Sequence, residues 1–119
     1  MNTSHWSFDH FCTYTLLCLA SSDHDLDEKE LKTIRTFLNE QEIENPEELI
    51  EELLVVIKYQ TVQEREKFII DSFTQFVKTA DDAQDLVDII EELIISDFTI
   101  DPDEMNLYRM IKKIIRELD

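Results

Sequence analysis

Two short acidic segments carry the residue types and the spacing that ion chemistry requires. The first contributes Asp23, Asp27 and Glu30 from the stretch 20–31, and the second contributes Asp97, Asp101 and Glu104 from the stretch 94–105. Each of these three acids of the first copy has its counterpart 74 positions later. Both copies read as an apolar helix ending in Ser-Asp, a short turn with one inward apolar residue (Leu26 or Ile100), and an Asp-x-x-Glu that opens the next helix. Carboxylate oxygens at such turns are hard ligands, suited to Ca²⁺ or Mg²⁺, with Zn²⁺ also open to them. Two carboxylates about 6 Å apart repel by roughly 0.7 kcal/mol in water and nearly 3 kcal/mol at an effective dielectric near 20. If the two turns converge in a recess, their charges therefore call for a cation, a proton or a basic partner.

A structural role competes for the same residues. Asp27, Glu30, Asp101 and Glu104 stand where helix-capping acids stand, accepting from orphan amides and favoured by the helix dipole. Asp23 and Asp97 follow helix C-terminal ends, where that dipole disfavours negative charge, although an Asx turn also accounts for them. An EF-hand is excluded. Asp23, Asp25 and Asp27 supply its opening, but Glu28 replaces the glycine at the sixth loop position and Ile34 the bidentate glutamate at the twelfth. The second copy carries Pro102 at the sixth position and departs further.

The paired motif resembles the tellurite-resistance TerB-like family, whose two copies read approximately as Ala-Asp-Gly-x-Ile-Asp-x-x-Glu. The likeness covers nearly the whole chain in helix number, helix order and motif position. It implies a helical bundle, a cation site built from Asp23, Asp27, Glu30, Asp97, Asp101 and Glu104, and a place in stress-response assemblies. The chain departs from the pattern at His24 and Phe98, where the family usually has glycine. A turn built on those residues either accepts a strained backbone or takes another shape.

The elements that must position these acids are helices. The chain has no glycine, and its two prolines, Pro46 and Pro102, sit where helices begin. Tight hairpins, P-loops and dinucleotide turns all depend on glycine and are disfavoured. Start signals recur as Asp27 with Glu30, Asn45 with Glu48, Thr61 with Glu64, Asp82 with Asp85 and Asp101 with Glu104. Apolar residues at helical spacing between them predict helices over 7–22, 28–39, 46–59, 62–79, 83–96 and 102–118. The first, fifth and sixth carry the broadest apolar faces and are expected at the centre. The fold class is an all-α bundle of about six helices, with residues 1–119 forming one domain.

Composition limits the function. Apolar residues are 43% of the 119, enough for a core, although the net charge is −17. The charge divides evenly, −9 over residues 1–59 and −8 over the rest, so the acidity belongs to the fold. Such a field repels nucleic acid and anionic lipid and favours cations and basic protein surfaces. Cys12 and Cys18 are six residues apart on one helix, about 9 Å of rise, too far for a disulfide. Both read as buried thiols, and with no long apolar run the expected address is the cytoplasm. His5, His10 and His24 have no partner at a catalytic or zinc-binding spacing. Three functional readings follow. The first is a non-enzymatic module that binds a divalent cation and docks other proteins, and the second a metal-free interaction module with an acidic face. A metal-dependent hydrolase is the third and least favoured, for want of a nucleophile or oxyanion donor.

Overall fold

A computed structural model of the chain describes residues 6–20, 28–96 and 102–118; the side chains of 94–96, 102–105 and 118 lie outside that description. Six helices follow in order: α1 (Phe8–Ala20), α2 (Glu28–Glu40), α3 (Pro46–Lys58), α4 (Val62–Phe76), α5 (Ala80–Ser96) and α6 (Pro102–Leu118). Among the described residues there is no strand. The Cα radius of gyration is 13.2 Å, close to the roughly 13.5 Å expected for a compact chain of this length.

The architecture is built around α1. Every residue from Phe11 to Ala20 is buried, and α1 packs against all five other helices. A helix apolar all round belongs in a core, and its two buried threonines need internal partners. They find them one turn back: Thr13 Oγ1 donates to the Asp9 carbonyl at 2.7 Å and Thr15 Oγ1 to the Phe11 carbonyl at 2.9 Å. The other helices are amphipathic. Ile34, Phe37 and Leu38 of α2, Leu49, Ile50, Leu53 and Ile57 of α3, and Ile69, Phe73 and Phe76 of α4 turn inward onto α1 and its neighbours. The expectation of a central first helix holds; α5 and α6 flank it, and Ile114 and Ile115 of α6 are only half-buried.

An aromatic cluster fastens the start of α1. Trp6 packs edge-on to Phe68 with centroids 5.5 Å apart and lies 5.6 Å from Tyr14, while Phe11 stacks on Phe76 at 5.3 Å. Trp6 thus anchors the first helix. Deeper along α1, Tyr14 donates its hydroxyl to Gln60 Oε1 at 2.5 Å. Arg65 of α4 reaches back to donate to the Ile57 carbonyl at 2.8 Å, an acceptor at the end of α3 that also takes the Gln60 amide at 3.1 Å.

The helix starts follow the capping signals in part. Thr61 and Glu64 form the complete reciprocal box at the head of α4. Asn45 precedes α3 without a side-chain cap bond, and the Pro46 ring presets the first turn instead. For α5 the expected start at 83 is corrected to Ala80. Thr79 caps it, its hydroxyl accepting from the Asp82 amide at 3.0 Å, and Asp82 reaches back toward the Lys78 amide at 3.4 Å. The expected continuation of α4 to 79 is corrected for the same reason: Val77 is extended, and the helix stops at Phe76. The two helix-turn-helix halves expected from the repeat, α1 with α2 and α5 with α6, pack against one another through α2 on α5 and through α1 on both α5 and α6.

Candidate functional site: a carboxylate-rimmed groove

Of the six acids expected to hold a cation, Asp23, Asp27, Asp97 and Asp101 lie outside the described residues, and with them the expected convergence of the two turns. Glu104 falls in the first turn of α6, its side chain not described. Glu30 is described. It sits in the first turn of α2 and is only 2% exposed. A carboxylate withdrawn from water to that degree requires compensating donors, a proton or a cation.

The described carboxylates converge elsewhere. A cleft of about 230 Å³ opens between the start of α1, the end of α2 and the outer face of α5. Its floor is formed by Cys12, Phe37 and Ile89, all buried, with Phe8 half-buried at one side. Around it stand four exposed acids, Glu40 from α2 and Asp85, Asp88 and Glu92 from α5. The spacing of the α5 set, three and then four residues, places its members on one helix face, and the packing of α2 on α5 brings Glu40 across from them. Gln84 donates to Asp88 Oδ1 at 2.8 Å and steadies one acid of the rim. Arg35 of α2 is committed away from the groove, where its guanidinium forks onto Glu47 with contacts of 2.5 and 3.3 Å.

Burial and neighbouring carboxylates both act on the thiol of this floor. The Cys12 thiol is pushed far above the ordinary thiol value, by burial first and then by the nearby charges of Asp9, Asp82 and Asp85. Cys18, deeper in the same helix, is pushed up to about 12, again by burial first. Neither thiol is paired in a disulfide, as the sequence spacing required, and both are held in the protonated, unreactive form. Among the described residues, no group of three or more His, Cys, Asp or Glu side chains is arranged to hold a metal ion, and none of the described helices is long and apolar enough to cross a membrane.

The groove acids were not singled out from the sequence as a site. Their signal is the acidic face of α5 at 85, 88 and 92; their partner Glu40 is 45 residues earlier and joins them only through tertiary packing. Compared with family models, curated proteins and solved structures, the chain has no match.

Proposed function

We propose that the chain is a non-enzymatic docking module whose acidic groove receives a Lys- or Arg-bearing segment of another protein. The observation that carries this reading is the placement of Glu40, Asp85, Asp88 and Glu92, four exposed carboxylates from two helices, around a partly apolar floor. Apolar contact and charge then act on the same ligand, the arrangement from which electrostatically guided recognition is made. The likeness to tellurite-resistance proteins would set such docking in a stress-response assembly. The test is an NMR titration of the ¹⁵N-labelled chain with a polar Lys/Arg decapeptide. Shifts should centre on residues 40 and 85–92, fade with added salt and disappear in the Asp85→Asn/Asp88→Asn variant. Shifts spread evenly over the surface, or unchanged in that variant, would reject the groove.

A second reading, in which the two acidic turns hold a divalent cation, is favoured by the burial of Glu30 and by the packing of the two repeat halves on each other. Under it, Ca²⁺, Mg²⁺ or Zn²⁺ at about a hundred times its Kd would add roughly 2.7 kcal/mol of stability to chelator-treated protein. A melting temperature indifferent to all three ions would remove this reading and leave the groove untouched.

A further inference from the structure

The outer face of α3 runs opposite to its buried residues and carries Glu48, Glu52, Val55 and Tyr59 almost in line, at the spacing of one helix face. Among the described residues the large apolar side chains left exposed are Val55, Tyr59, Val62 and Ile70. Three of these fall within residues 55–62, with Tyr59 79% exposed, Val55 58% and Val62 42%. Single exposed apolar residues are ordinary, but these three flank one turn, the link between α3 and α4. Tyr59 is the side chain best suited to anchor a contact there, an amphipathic ring that binds at low entropic cost. Lys58 Nζ lies 5.9 Å from its ring centroid, and most of the ring remains open to solvent.

We infer that this face is a second docking surface, and that its occupant is a basic amphipathic helix from another protein. The apolar end at Val55, Tyr59 and Val62 takes the apolar stripe of such a helix, and the acidic end at Glu48, Glu51 and Glu52 takes its Lys and Arg side chains. Charge complementarity selects this occupant over a second copy of the chain, because two molecules of net charge −17 repel and each would present acids to acids.

The probes are three 18-residue peptides: an amphipathic Leu/Lys helix, its Leu/Glu counterpart and a polar Lys/Ser peptide. Titrated into the ¹⁵N-labelled full chain, the Leu/Lys helix should shift amides centred on residues 48–62, and the other two should leave that region unmoved. The Val55→Ser/Tyr59→Ala pair should weaken this binding at least about tenfold, the loss typical of an aromatic anchor. Glu48→Gln/Glu51→Gln should weaken it and flatten its salt dependence. All four side chains are exposed, so both variants should keep the wild-type circular dichroism spectrum and melting temperature. The Asp85→Asn/Asp88→Asn variant should keep the shifts of residues 48–62 with the Leu/Lys helix, which separates this surface from the groove. Shifts confined to residues 40 and 85–92, unweakened shifts of 48–62 in Val55→Ser/Tyr59→Ala, or a dimer in sedimentation that Tyr59→Ala abolishes would each overturn the inference.

Discussion

Tyr14, Cys18, Gln60 and Arg65 form a small polar group against the buried helix, and its chemistry is that of protons held in place. Burial pushes the Cys18 thiol up to about 12 from its ordinary 9.0, while its bond with Tyr14 and the Arg65 charge pull it back. The folded chain therefore holds this proton more tightly than the unfolded chain. The stability it contributes is complete below pH 9.0 and is lost as the pH climbs toward about 12. The stability gap between the wild type and Cys18→Ala should accordingly narrow across that interval, as read from urea midpoints at pH 8, 9.5 and 11. Both thiols should resist a disulfide reagent at pH 8 in the native state and react fully in urea. That these cysteines do not pair with each other was legible from their six-residue spacing, and Asp9 stands three positions before Cys12; that Asp82 and Asp85 also lie near Cys12 was not legible, since they reach it from another helix.

At the level of single helices, capping signals differ in what they deliver. Thr61 is engaged in the full reciprocal box, with its oxygen accepting from the Glu64 amide at 3.1 Å and Glu64 accepting from the Thr61 amide at 3.0 Å. Thr61→Ala should cost about 1 kcal/mol, a drop of roughly 4 °C in melting temperature. Asn45→Ala should cost almost nothing, because that side chain makes no cap bond; equal losses in the two variants would show that the boxes act through something other than these hydrogen bonds. The same comparison marks how far sequence carries. Periodicity located all six helices, since an apolar residue every third or fourth position follows directly from helix geometry. The start of α5 was displaced because Thr79 with Asp82 has the same cap-to-acid spacing as Asp82 with Asp85, and only the extended backbone at Val77 decides between them.

For the molecule as a whole, the dominant quantity is a net charge of −17 on 119 residues. Self-repulsion of that size opposes compaction and is relieved by screening, so the melting temperature should rise by several degrees between about 10 mM and 300 mM NaCl. MgCl₂ at matched ionic strength serves as the control: an equal rise is screening alone, and an additional one is specific cation binding. The bundle class was legible because glycine is missing and the helical periods are strong. The meeting of Glu40 with the α5 acids was not legible, because adjacency of α2 and α5 is a property of packing that no local pattern encodes. The enclosure of α1 by five later helices also bears on how the protein is made. The segment Phe11–Ala20 is synthesised before any of the helices that will cover it, and α6 begins some ninety residues after Phe11. At translation speeds of about 5–20 residues per second, this sticky segment is uncovered for seconds, which makes it the natural point of capture for chaperones on the nascent chain.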